Sequence, residues 1–205
     1  MTAMQYIMRI SPVIPVIVID DLSQAVPLAQ ALVDGGLPVL EVTLRTPAAL
    51  EAIRLMQQVD GALVGAGTVL NRGDLDRALD AGARFIVSPG LTAELGGAAV
   101  SCGVPYLPGI STASDIMRGL DMGLSAFKFF PASVGGIPAL RALSAAFRGV
   151  HFCPTGGVTP QSAADWLALD PVLCVGGSWL YGGGPVDTDR VRQLALQASQ
   201  LAKPT

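Results

Sequence analysis

Histidine is nearly absent from this chain of 205 residues, with His151 the only one. One imidazole cannot build a multi-histidine metal centre, and no carboxylate cluster replaces it. A Ser-His-Asp hydrolase is excluded on placement, because His151 begins a strand instead of ending one, and it reads as structural or surface. Cysteine is scarce as well. Cys102, Cys153 and Cys174 are odd in number and lack paired spacing, which argues against a disulfide framework or zinc ribbon and for reduced thiols. Charged residues make up 14% and the net charge is -3, so there is no basic stripe for a nucleic-acid partner. No apolar run reaches membrane-spanning length, and no basic leader with an apolar core opens the chain. The expectation is a soluble cytoplasmic protein with neither nucleic acid nor membrane as partner. The last scarcity is lysine, since Lys128 and Lys203 are the only two among 13 basic residues.

Apolar residues are abundant, at 51%. That content excludes disorder and points to extensive burial, with a subunit interface covering some of the apolar surface. The length suits one sizeable core, and a single domain over residues 1–205 is expected.

A unit of about twenty residues recurs along the chain. Met4 to Ile10 reads as a short helical lead-in. Pro12 to Ile19 is then a β-branched run without polar alternation, as expected of a parallel strand covered on both faces. A helix from about Ser23 to Asp34 and a second strand from Pro38 to Arg45 follow. Thr46-Pro47 is expected to open the next helix, threonine as cap and proline at the first helical position. Strands are expected again at Ala62–Thr68, Arg84–Gly90, Pro105–Ile110 and Ser125–Pro131, each preceding a helical pattern, and after a sixth helix at His151–Gly157 and Val172–Ser178. Gly61, Gly82, Gly103 and Gly123 punctuate the approaches in the manner of helix C-caps. Eight such units predict an α/β fold, a compact (β/α)8 TIM barrel with short loops. A doubly wound open sheet is the structural alternative, while the ladder of a leucine-rich solenoid is missing.

The segment Ser125-Ala126-Phe127-Lys128-Phe129-Phe130-Pro131 organises the reading. Alternation places Ala126, Lys128 and Phe130 on one face, where a low-dielectric setting favours a neutral, nucleophilic amine. A Schiff-base lysine fits; a lysine that snorkels to solvent or pairs with a buried carboxylate is the alternative. In a parallel barrel the functional residues lie at the C-terminal ends of strands. There stand Glu41, Thr43 and Arg45 on one face of the second strand, Thr68 after the third, and Ser88-Pro89 after the fourth. Glu41, with apolar neighbours, is a candidate acid/base or a structural partner of Lys128 or Arg45. Arg45 offers a planar fork for a carboxylate, and Thr68 a hydroxyl. Gly156-Gly157 and Gly176-Gly177-Ser178 end the last two strands, where backbone amides and a helix N-terminus can hold a phosphate, with Ser178 donating its hydroxyl or capping the helix.

The segments Leu40-Glu41-Val42-Thr43-Leu44-Arg45-Thr46, Gly65-Ala66-Gly67-Thr68-Val69, Phe85-Ile86-Val87-Ser88-Pro89-Gly90, Phe127-Lys128-Phe129-Phe130-Pro131, Pro154-Thr155-Gly156-Gly157-Val158 and Val175-Gly176-Gly177-Ser178-Trp179-Leu180 together resemble the 2-keto-3-deoxy-6-phosphogluconate (KDPG) and 4-hydroxy-2-oxoglutarate (KHG) aldolases, over nearly the whole chain. The resemblance implies a class I aldolase, a homotrimer of (β/α)8 subunits that needs no metal or other cofactor. It implies Lys128 as Schiff-base former and Glu41 as acid/base, with Arg45 and Thr68 binding the carboxylate. Pro89 and Phe130 shape the pocket, and Gly156, Gly157 and Ser178 form the phosphate site. Thr155 stands where gluconate-type members carry threonine and galactonate-type relatives tend to carry valine. The implied ligands are a phosphorylated keto acid and pyruvate. The 2-keto-3-deoxy-6-phosphogalactonate (KDPGal) aldolase activity, or a phosphosugar isomerase or epimerase on the same barrel, is the alternative.

Overall fold

The computed structural model describes residues 1–201; Lys203 lies outside the described residues. All strands pair in parallel, and their topology follows from strands that are hydrophobic on both faces. β1 (Val13–Ile17), β2 (Val39–Thr43), β3 (Leu63–Gly67), β4 (Ile86–Val87), β5 (Tyr106–Leu107) and β9 (Val175–Gly177) form a six-stranded sheet in the order β5-β4-β3-β2-β1-β9. β6 (Gly109–Ile110), β7 (Ala126–Phe129) and β8 (His151–Pro154) form a three-stranded sheet. The expected fifth strand is two short ones because Pro108 has no N–H for the ladder. The carbonyl of Pro108 still accepts from Lys128 N at 2.8 Å. Two bridges, Phe152↔Val172 and Thr155↔Gly176, join the three-stranded sheet to the segment of β9.

Helices connect the strands. α2 (Ala25–Asp34), α3 (Ala49–Met56), α4 (Arg72–Asp80), α5 (Ala93–Cys102) and α6 (Ala113–Asp121) lie between successive strands from β1 to β7, except that β6 follows β5 directly. α7 (Ala132–Ala146), α8 (Pro160–Leu167) and α9 (Thr188–Ser199) complete the set. Most start at a side chain that accepts a backbone N–H of the first turn, including Asn71, Thr92, Thr112, Thr159 and Asp187. Thr46-Pro47 does not open α3 as expected. The Thr46 hydroxyl donates instead to the Ile19 carbonyl, fastening the turn to the segment just after β1, and α3 starts two residues after Pro47 with no side-chain cap. Gly61, Gly82, Gly103 and Gly123 do take the positive φ expected of residues that end helices. α7 is kinked at Gly136, whose φ of 68° and ψ of 176° leave the helix.

Alternation along β2 separates two cores. Leu40 and Val42 face the larger one, shared with α2, α3 and the other connecting helices. Val39 faces the smaller one with Ile14, Phe85, Leu107, Ala126, Cys153 and Leu173. Each fully buried phenylalanine, among them Phe85, Phe127 and Phe152, contributes roughly 1.5–3 kcal/mol. The lead-in helix α1 (Ala3–Met8) adds Met4, Ile7 and Met8 to the smaller core. Thr2 and Gln5 close its first turn as a capping box. Gln5 Nε2 donates to Ser125 Oγ at 3.1 Å and stands 3.1 Å from His151 Nδ1. α1 therefore packs at the N-terminal edge of the strands, and His151 belongs to that edge.

Candidate active site

Glu41 is the third residue of β2 and Lys128 the third of β7. Both side chains face inward and are buried, at 2% and 5% exposure, and Lys128 Nζ donates to Glu41 Oε1 at 3.1 Å. Their neighbours in register are small or apolar: Gly109 and Cys153 flank Lys128, while Val16 and Gly65 flank Glu41. No buried side-chain N or O among the described residues lacks a partner. The pair therefore satisfies itself. Removing one member strands the other charge, at about 3–5 kcal/mol. The sequence left open whether Lys128 would be a nucleophile or the partner of a buried carboxylate, and the structure supplies the partner. The two are compatible chemically, since a carboxylate at hydrogen-bond distance from an amine can hold or return a proton as that amine reacts. The Phe130 ring, two residues along the same face, has its centroid 5.4 Å from Lys128 Nζ. That is within cation–π range.

Each remaining candidate follows its strand, and among parallel strands that places them at one C-terminal edge. Thr68 comes directly after β3 and is half-buried. Its φ of 57° makes it the one non-glycine residue with positive φ among the described residues. A β-branched side chain held there costs roughly 1–3 kcal/mol, and such strain clusters at functional sites. Pro89 follows β4, and its carbonyl occupies the space that a side chain on Gly109 would need. Thr155 is buried and donates to the Cys153 carbonyl at 3.4 Å. Ser133 N donates to the Gly156 carbonyl and Ala132 N to that of Thr155, which ties the start of α7 to the Gly156-Gly157 loop. The Phe130–Pro131 peptide between them is cis.

Four expectations need correcting. Arg45 is not part of the second strand: β2 ends at Thr43, and Arg45 stands exposed in the following turn, without a hydrogen bond or ion pair among the described residues. Thr43 is not free for a ligand, because its hydroxyl donates to the Ile17 carbonyl at 2.8 Å. Ser88 is turned away from the inner face and buried. It donates to the Gly90 carbonyl at 2.6 Å, so it accepts from the Tyr106 hydroxyl at 2.7 Å. Ser178 caps no helix, being an exposed bend before a turn at Trp179-Leu180, and α9 begins only at Thr188. The clearances at Gly109 and Gly176 were missed. A side chain on Gly176 would come within 2.8 Å of Thr155 Cγ2. Glycine inside a strand was the available signal, as it marks close approach. Among the described residues no three His, Cys, Asp or Glu side chains are grouped to hold a metal, and no helix is long and apolar enough to cross a membrane.

The sequence profile of the aldolase family described as KDPG and KHG aldolase matches residues 4–195. The chain belongs to this family. The 2-dehydro-3-deoxy-phosphogluconate aldolase of Zymomonas mobilis is 56% identical over 198 residues, covering 96% of this chain and 95% of that protein. The crystal structure of the 2-keto-3-deoxy-6-phosphogluconate aldolase of Zymomonas mobilis ZM4 with 3-phosphoglycerate superposes with a TM-score of 0.97 at 54% identity, covering 98% of this chain and 97% of that one. The KDPG aldolase of Legionella pneumophila, with pyruvate captured at low pH as a covalent carbinolamine intermediate, gives 0.94 at 45% identity and covers 97% and 99%. Members of this aldolase family are lyases, and so is this chain.

Proposed function

We propose that this KDPG/KHG aldolase family member cleaves 2-keto-3-deoxy-6-phosphogluconate to pyruvate and glyceraldehyde 3-phosphate through an imine on Lys128. It also cleaves 4-hydroxy-2-oxoglutarate to pyruvate and glyoxylate. The observation that carries this is the buried 3.1 Å contact between Lys128 Nζ and Glu41 Oε1. The carbinolamine of pyruvate in the Legionella pneumophila relative is the first covalent intermediate that such a lysine would form.

Lys128 passes a proton to Glu41 across their contact and adds the freed electron pair to the C2 ketone; Glu41 returns that proton to the carbinolamine hydroxyl, which leaves as water to give an iminium and the carboxylate. Glu41, through a water, takes the proton of the C4 hydroxyl. The C3–C4 electron pair moves into a C2–C3 double bond and quenches the iminium, releasing the aldehyde. The remaining enamine takes a proton at C3, water hydrolyses the imine, and pyruvate leaves with the lysine restored. Phe130 faces the cationic nitrogen. Arg45 and Thr68 hold the substrate carboxylate, and Pro89 and Thr155 line the pocket. Gly156, Gly157 and Ser178 bind the phosphate, so the substrate is held at both ends and orientation lowers the barrier.

The same reading closes the two sheets into one (β/α)8 domain. β5 and β6 act as a single strand bent at Pro108, and the bridges at Phe152 and Thr155 join the other side. The working form is a cytoplasmic homotrimer. Coupled detection of pyruvate from KDPG, with Lys128→Ala as control, tests the activity. Borohydride with pyruvate is expected to leave a mass adduct on Lys128, and its absence rejects the imine.

A further inference from the structure

We propose that Gly67 is a positioning residue for this reaction, its missing side chain being the space in which the Glu41 carboxylate stands beside Lys128; the inference rests on the acid/base reading of Glu41. A Cβ built on Gly67 would lie 2.6 Å from Glu41 Cγ and 2.8 Å from Cδ, and closer still to Oε1. That oxygen is the one that accepts from Lys128 Nζ. Glu41 pairs in register with Gly65 and Thr43 with Gly67. The Glu41 side chain thus leans along its strand toward the C-terminal edge and over the next inward position of β3, a common direction for strand side chains.

Space, and not backbone freedom, calls for glycine at this position. Gly67 is absent from the residues with positive φ and lies within regular β3, so alanine could adopt its backbone. Gly65, the other inward glycine of β3, serves packing, since a Cβ there would meet the Phe85 ring at 2.5 Å. Gly67 serves a carboxylate instead. The strand cannot slide to relieve a methyl group, because the Gly67 carbonyl accepts from Leu44 N at 2.8 Å and Val69 N donates to the Val87 carbonyl at 3.2 Å. Thr68, between them, is already held in the left-handed region. The group that must move is the Glu41 side chain, and moving it takes the carboxylate away from the lysine.

Gly67→Ala in the full chain is expected to lower kcat for KDPG cleavage by about 10²-fold while KM changes by less than about threefold, as for a misplacement of about 1 Å at the reacting centre. Gly97→Ala is the control for the substitution itself, since a Cβ there meets nothing within 4 Å; it should keep wild-type kcat. A melting cycle over wild type, Gly67→Ala, Glu41→Ala and the double variant reads the contact independently of activity, also when Gly67→Ala folds poorly. The drop in Tm caused by Gly67→Ala should disappear once Glu41 is alanine. An equal drop in both backgrounds, or a Gly67→Ala enzyme with unchanged kcat, overturns the proposal. Should Glu41→Gln alone leave kcat unchanged, the acid/base reading of Glu41 fails, a result distinct from the melting cycle.

Discussion

The two edges of the strands hold opposite kinds of polar contact. At the N-terminal edge α1 lies against the inner core, and its Gln5 reaches the Ser125 hydroxyl and His151. The Gln5 Oε1 accepts from Thr2 N at 3.0 Å. A backbone N–H can only donate, so the amide orientation follows and Nε2 faces His151, whose Nδ1 must accept. This network is neutral, partly buried and holds a helix in place. Toward the C-terminal edge, the Glu41–Lys128 pair is charged, buried and closed on itself. A neutral hydrogen bond contributes about 0.5–1.5 kcal/mol net, whereas breaking a buried ion pair costs about 3–5 kcal/mol. The difference separates an edge whose contacts hold a helix from one that keeps an ion pair buried and carries the backbone strain at Thr68.

The largest way to break the comparison is Lys128→Met. Cleavage should fall by at least about 10⁴-fold, and urea unfolding should show a loss of about 3–5 kcal/mol from the stranded carboxylate. Adding Glu41→Leu should return the stability without the activity. Next is Arg45→Ala, which should raise KM for KDPG about tenfold or more through the lost carboxylate contact, with stability within about 0.5 kcal/mol because the side chain is exposed. Gln5→Ala acts on the other edge alone: about 1 kcal/mol of stability, or 2–4 °C in Tm, with kcat unchanged.

The smallest effect concerns Tyr106, whose hydroxyl is pushed up to about 12 by burial. A raised folded value means its contribution is complete below the ordinary value of 10.0 and is lost as pH rises toward 12. Stability measured between those values should fall less steeply in Tyr106→Phe than in wild type.

The burial of Lys128 and Glu41 was legible because each is an ionisable group with apolar neighbours on both sides in its strand. Thr68 carried no local mark; a threonine at a strand end looks ordinary until its positive φ is seen. Arg45 and Thr43 were placed on one face with Glu41 by simple alternation, and Ser88 at the same mouth because it ends its strand. Alternation stops where a strand stops, and it cannot reveal that the Ile17 and Gly90 carbonyls take two of those hydroxyls. Pro108 announced itself in the sequence, but its division of one strand into β5 and β6 depends on a hydrogen-bond ladder supplied by neighbours. The same holds for Thr46, a sound helix cap by residue type that the carbonyl of Ile19 claims first.

Local chemistry alone determined the alternation of strand and helix, the glycines that turn helix into strand, and the two side chains suited to carbonyl chemistry, because propensity and periodicity act over a few neighbouring residues. The tertiary structure decided that Glu41 meets Lys128 across 87 residues and that Gly67 leaves room for the carboxylate. Contacts of that separation exist only once the strands are laid side by side, when register sets which side chains share a space.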